Sequence, residues 1–213
     1  FKYSDCKIKK RTIMKLTQLI SIILHPMFMP LLALHLTLLV LPSLAFTLSQ
    51  NLLLIYGILV FSTMILPLVS IFWLMRKGKV SSLEMSNHKE RSLPLFKTVI
   101  WMSFGYYLLQ NLLFYTPILK AELLGAIIII LIAAIVSKYW KISLHLLGIG
   151  GVVGVFIALQ IMHGDFLYLL LLFILLSGLL GVARIKQKAH NYAQVYAGFL
   201  VGLSVELITL LVY

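Results

Sequence analysis

Seven apolar stretches occupy almost the whole of this 213-residue chain. Each is close to the roughly 20 residues that a helix needs to cross a bilayer. They fall at about 16–41, 51–75, 95–116, 119–137, 143–162, 166–183 and 191–212. Little chain is left for anything outside a membrane, so residues 1–213 read as a single integral-membrane domain. Composition agrees, with 62% hydrophobic and 11% charged residues, against roughly 45–50% and 25% in soluble domains. Stretches such as 123–136 are apolar on every side, whereas strands of an outer-membrane barrel alternate over about ten residues. The expected fold class is therefore all-α, a polytopic transmembrane helix bundle of about seven spans. The third and fourth spans are parted at 117–122, where Thr116, Pro117, Lys120 and Glu122 interrupt a run too long for one helix and predict a tight turn.

The connections alternate in charge. Segments 1–15, 76–94, 138–142 and 184–190, with Lys97 just inside the third span, hold 17 of the 18 Lys and Arg. Only Lys120 lies on the other side. By the positive-inside rule this places the basic N-terminal segment 1–15 and the other basic loops in the cytoplasm and the C-terminus outside, as in a bacterial inner (plasma) membrane protein. The net charge of +12 is then met by anionic lipid headgroups and calls for no nucleic acid. The apolar run after the basic N-terminal segment is too long for a signal-peptide core and lacks a small-x-small cleavage site, so it reads as a retained first helix. A single Cys6 makes no internal disulfide and holds no metal.

Polar residues near membrane spans are costly and are candidate functional groups. Three clusters share the basic side: 86–94, with His88, Lys89, Glu90, Arg91 and Pro94; 141–145, with Lys141, Ser143 and His145; and 184–194, with Arg184, His190 and Gln194. Each opens a helix, whose unpaired N–H groups and positive dipole end favour an anion. His190 and Gln194 stand four residues apart, so the amide can orient the imidazole. Arg184 is placed in the loop ahead of that helix, free to swing inwards. Lys141 suits either this anion set or a snorkelling place at the interface. His190, Gln194, Gly198 and Gly202 share one stripe of the seventh helix, and small residues let membrane helices approach closely. Packing of that stripe on Gly148, Gly150, Gly151 and Gly154 of the fifth helix would bring His145 towards His190.

These motifs resemble the type 2 phosphatidic acid phosphatase superfamily of integral-membrane lipid phosphate phosphatases. The family signatures are Lys-x6-Arg-Pro, Pro-Ser-Gly-His and Ser-Arg-x5-His-x3-Asp. Arg184, His190, Val195 and Gly198 match the third, with Ala183 in place of Ser and Gln194 in place of Asp. Ser143 and His145 match the second, with Ile142 and Leu144 in place of Pro and Gly, and the first is loosely present in Lys89, Arg91 and Pro94, with Glu84 where its Lys would stand. The match spans 89–198, within a motif-bearing core at about 86–213, and a bundle of about seven spans leaves room for a six-helix phosphatase-like unit. The resemblance implies hydrolysis of a phospholipid or polyprenyl phosphate or pyrophosphate through a phosphohistidine, with no metal and no cofactor. His190 would be the nucleophile and His145 the acid on the leaving alkoxide. Arg184, Ser143, Arg91, Lys89 and Lys141 would hold the phosphate oxygens, and Gln194 would orient His190. Gln194 offers a carbonyl oxygen but no negative charge, so the alternative is a catalytically impaired phosphatase-like protein serving as a structural or lipid-binding subunit beside partner subunits.

The remaining polar residues read as structural. His25 precedes a Pro26 kink in the first span. His35 is about 15 Å further along the same helix, too far for joint ligation of one iron. His163, Gly164 and Asp165 suggest an outer turn. A transporter is disfavoured, because no internal repeat is apparent and no charged residue is expected deep in the bilayer. No P-loop, His-Glu-x-x-His or nucleophile elbow occurs.

Overall fold

The computed structural model describes residues 14–82, 85 and 88–213. The basic segment 1–13 with Cys6, and Glu84, Ser86 and Asn87 near the first polar cluster, lie outside the described residues. The described residues form an all-helical bundle built on α1 (Met14–Val40), α2 (Ser49–Arg76), α3 (His88–Leu109), α4 (Pro117–Val136), α5 (Leu144–His163), α6 (Leu167–Lys186) and α7 (Tyr192–Val212). A short helix, Pro42–Thr47, turns the chain between α1 and α2. All of these but α3 and the short helix are long and apolar enough to cross a membrane.

α3 is as long as the others, 22 residues or about 33 Å, but carries Lys89, Glu90, Arg91 and Lys97 in its first half. It runs the height of the bundle. His88 Nδ1 lies 2.9 Å from the carbonyl of Ser137, just past the end of α4. Near the other end of α3, the hydroxyl of Tyr106 is 3.5 Å from that of Tyr213, at the close of α7.

The helices depart from the sequence expectations in three places. The third helix, expected over 95–116, occupies His88–Leu109, because hydropathy marks where the apolar run begins and not where the helix does. The turn expected at 117–122 falls instead at 110–115. Proline lacks only an N–H that the first helical turn leaves unpaired anyway, so Pro117 starts α4 instead of interrupting it. Lys120 and Glu122 therefore ride inside α4. Glu122, expected in a turn, is 3% exposed within the bundle, as is Glu206.

In α1 the proline has the opposite effect. Pro26 ends the first helical half, and a 3-10 turn over Pro26–Phe28 leads into the second, capped by His25 Nδ1 accepting the Met27 N–H at 3.3 Å.

α5 is the central helix. Of its most apolar window 67% is buried inside the protein, against 28% for α1, α2, α6 and α7. It lies parallel to α7, as their successive contacts show: Gly198 rests on Ser143 and Leu147, and Gly202 on Leu147 and Gly151. A Cβ on Gly202 would collide with the carbonyl of Leu147, and one on Gly150 with that of Phe199. Lipid tails are as apolar as leucine, so such backbone-to-backbone packing, not a hydrophobic drive, holds membrane helices together. The expected glycine pairing of the fifth and seventh helices is present. Of the α5 set, Gly150 and Gly154 turn towards α7, whereas Gly148 faces Met29 and Pro26 of α1 and Gly151 faces chiefly Ile129 of α4. With α5 and α7 parallel and α6 returning between them, both N-termini open at the same end of the bundle.

Candidate functional site

That shared end gathers the polar residues. Ser143 is the N-cap of α5, and its backbone N–H donates to the carbonyl of Gln194 at 3.3 Å, which ties the start of α5 to the first turn of α7. Its side chain caps nothing. Ser143 is fully buried and its Oγ makes no hydrogen bond with the described residues, an unusual state for a buried hydroxyl.

The start of α7 is pinned by a capping box. Asn191 Oδ1 accepts the Gln194 N–H at 2.9 Å, and Gln194 Oε1 accepts the Asn191 N–H at 3.3 Å. The same Oε1 lies 3.0 Å from His190 Nδ1. An amide oxygen only accepts, so Nδ1 of His190 carries the proton and the neutral ring bares the lone pair of Nε2. Burial of the ring lowers its pKa from the ordinary 6.5 to about 4, and the positive charges of Arg184, Arg91 and Lys141 add to that fall, against the opposing pull of Gln194. His190 is neutral at pH 7.

His145, in the first turn of α5, is held from α1. Its Nε2 lies 3.0 Å from the carbonyl of Ser21, an acceptor left over in the last turn before the Pro26 break. A carbonyl cannot donate, so Nε2 carries the proton and Nδ1 is where the ring takes up and returns one. The His25 ring packs edge-on against His145 with centroids 5.3 Å apart.

Arg184 sits in the last turn of α6 and not in a loop, which corrects the sequence expectation. Its Nη1 donates to Gln187 Oε1 at 2.9 Å, and Gln187 Nε2 donates to Ser21 Oγ at 3.0 Å, so a short chain of polar groups joins α6 to α1. Its charge reaches His25, Arg91, Lys141, His145 and His190. Arg91 is buried in α3 and donates from Nε to the Met85 carbonyl at 2.7 Å. Partial burial, then Arg91 and Arg184, lower the pKa of Lys141. Among the described residues, every charge acting on Lys141 and His190 is positive. Glu90, next to Arg91 in the chain, accepts from the N–H and the hydroxyl of Ser81 at 2.8 Å each.

The structure thus brings together His190, Gln194, His145, Ser143, Arg184, Arg91 and Lys141. Lys89 is exposed on the first turn of α3 and is not among the charges acting on His190. Ser21, His25 and Gln187 belong to the cluster and were not singled out from the sequence for it. Only the His25-Pro26 break hinted that carbonyls of α1 would be free. Among the described residues no three His, Cys, Asp or Glu side chains converge into a metal-ligand set.

Chemically, like charges gathered on a neutral imidazole lone pair and an unpartnered hydroxyl fit a multiply charged anion. Comparison with known protein families, with characterised proteins and with solved structures returns no match.

Proposed function

We propose that this cluster binds the phosphate of a membrane lipid, a phospholipid or polyprenyl phosphate or pyrophosphate, and hydrolyses it through a phosphohistidine. One observation carries the reading: Arg91, Lys141 and Arg184 act together on His190, whose Nε2 lone pair is bared by Gln194. Three cations beside one imidazole at a helix-bundle end attract an anion, and the N-termini of α5 and α7 add their dipoles. The motif resemblance to the type 2 phosphatidic acid phosphatases supports the same roles.

In this mechanism His190 Nε2 attacks phosphorus as the bond to the lipid oxygen breaks, and Arg184, Arg91, Lys141 and the Ser143 hydroxyl take the charge that develops on the phosphoryl oxygens. The negative charge of the bound phosphate first brings a proton from solvent onto Nδ1 of His145, and the leaving alkoxide takes that proton. Water then attacks the phosphohistidine, returns its proton to His145 Nδ1, frees inorganic phosphate and restores His190. The membrane orientation that fits is cytoplasmic for the site and the N-terminus and outside for the C-terminus, in a bacterial inner membrane whose anionic headgroups meet the basic loops.

Phosphate release from phosphatidic acid, phosphatidylglycerophosphate and polyprenyl pyrophosphate by the purified protein tests the reading. Release is expected, and His190→Ala is expected to lower it at least about 10³-fold. Release that survives His190→Ala removes the nucleophile from the proposal. A second reading is favoured by Gln194 itself, whose neutral oxygen cannot stabilise charge on His190: a lipid-binding subunit of a membrane complex without turnover. Silence of the wild type together with phosphate-lipid binding would select it.

A further inference from the structure

We propose that Glu122 and Glu206 form a proton-binding site inside the bundle, in which a protonated carboxyl of Glu122 donates to the carboxyl group of Glu206 and joins α4 to α7.

Both side chains are buried, on the half of the bundle away from the phosphate cluster. Glu122 lies five residues into α4 and Glu206 six residues before the end of α7. The carboxyl group of Glu206 rests on Gly125, one turn along α4 from Glu122, where a Cβ would collide with it. Gly151 and Gly154 of α5 flank it on the other side. The charge of Glu122 reaches Glu206.

Hydrogen-bond accounting points to a bound proton. The hydroxyl of Thr37 on α1 donates to Glu122 Oε1. Glu122 Oε2 is enclosed and has no hydrogen-bond partner among the described residues. As a carboxylate oxygen it would leave lone pairs facing a second acid in an apolar interior, and such a charge is tolerated only when paired. As O–H it becomes a donor beside an acceptor.

Among the described residues no cation serves the pair. On the surrounding elements, Lys120 of α4 lies over the Phe114 ring, His35 of α1 bonds Tyr56 of α2, His163 of α5 packs on Phe166, and Tyr106 of α3 meets Tyr213 of α7. Loaded with a proton, the pair lets α4, α5 and α7 close at their glycines. Emptied, it sets two like charges into that contact. Because α5 and α7 also carry His145 and His190, the loading state bears on the geometry of the other end, although the site stands independently of the phosphate reading.

Infrared spectroscopy of the full-length protein in lipid nanodiscs tests this. At about pH 7.5 an ordinary carboxyl group is ionised, so the carbonyl stretch of a protonated carboxyl reports only shielded acids. The wild type is expected to show this band, shifted on deuteration. Glu122→Gln and Glu206→Gln should each move the band by changing its hydrogen-bond partner, and the double variant should lack it. No such band in the wild type overturns the proposal, as does a band that both single variants leave in place. Loss of the wild-type band on replacing K⁺ by Na⁺ also overturns it, in favour of a metal-cation site. Should either variant fail to fold, the wild-type band, its deuteration and its response to Na⁺ decide.

Discussion

At one end of α5 and α7, Arg91, Lys141 and Arg184 act on His190; further along α7, Glu206 rests among glycines of α4 and α5, with Glu122 of α4 acting on it. The two regions treat charge in opposite ways because of where they lie and how long their side chains are. Arg and Lys near a helix end keep apolar stems along the bundle and carry their charge to a polar boundary. A short glutamate side chain enclosed between helices has no such reach and must be neutralised in place. The first region therefore suits an anion, and the second a proton. What they share is the α5–α7 backbone contact.

The severest way to break the comparison is to pry that contact apart. Gly202→Leu forces a branched side chain into the Leu147 carbonyl, and overpacking of this kind costs about 2 kcal/mol or more. Thermal unfolding in detergent should fall well below that of the wild type, and phosphate release and the protonated-carboxyl band should be lost together. Loss of phosphate release with the band intact would show that the two regions do not depend on common packing.

A smaller change places an acid in the cationic region. Gln194→Asp offers a carboxylate to the Nδ1 proton of His190 and stabilises positive character on the ring as phosphorus is attacked. Phosphate release at pH 7 is expected to rise about tenfold, equivalent to one pKa unit. The pH dependence moves with it. His190 in the folded protein takes a proton near pH 4, against 6.5 for an ordinary histidine, so between those values the unfolded chain binds more protons. Stability from this group is present above pH 6.5 and is lost as pH falls towards 4. The introduced carboxylate would raise the folded value, narrow that window and shift the acid limb of activity upwards. Titration of His190 by NMR in the two proteins checks the sign, and an unmoved titration would mean that Gln194 does not orient the ring.

The contrast between the regions also reflects how much a linear sequence can carry. The His190–Gln194 pair, the Gly198–Gly202 stripe and the basic loops were legible, because helical spacing and charge alternation are local patterns. The His145–Ser21 bond joins positions 124 residues apart and depends on a carbonyl freed by Pro26. Glu122 looked like part of a turn because charge and proline both signal one, yet a proline in the first helical turn leaves the residues after it helical. Its partner Glu206 lies on another helix, and only packing reveals a pair. Arg184 was placed in a loop because α6 continues past its apolar run to Lys186, as α3 begins before its own.

The finest test separates the cationic region from the fold that supports it. Ser143 Oγ bonds to nothing among the described residues, so Ser143→Ala removes no hydrogen bond from the folded protein and should leave thermal unfolding within about 0.5 kcal/mol of the wild type. If the hydroxyl serves a phosphate oxygen, the same change removes one hydrogen bond from the complex, about 1 kcal/mol, or roughly fivefold in affinity. Inhibition of phosphate release by inorganic phosphate measures it. A weaker inhibition constant with unchanged unfolding assigns Ser143 to the anion. Unchanged values of both would leave the hydroxyl buried without a ligand, and the phosphate would then be held by Arg91, Lys141, Arg184 and the helix N-termini alone.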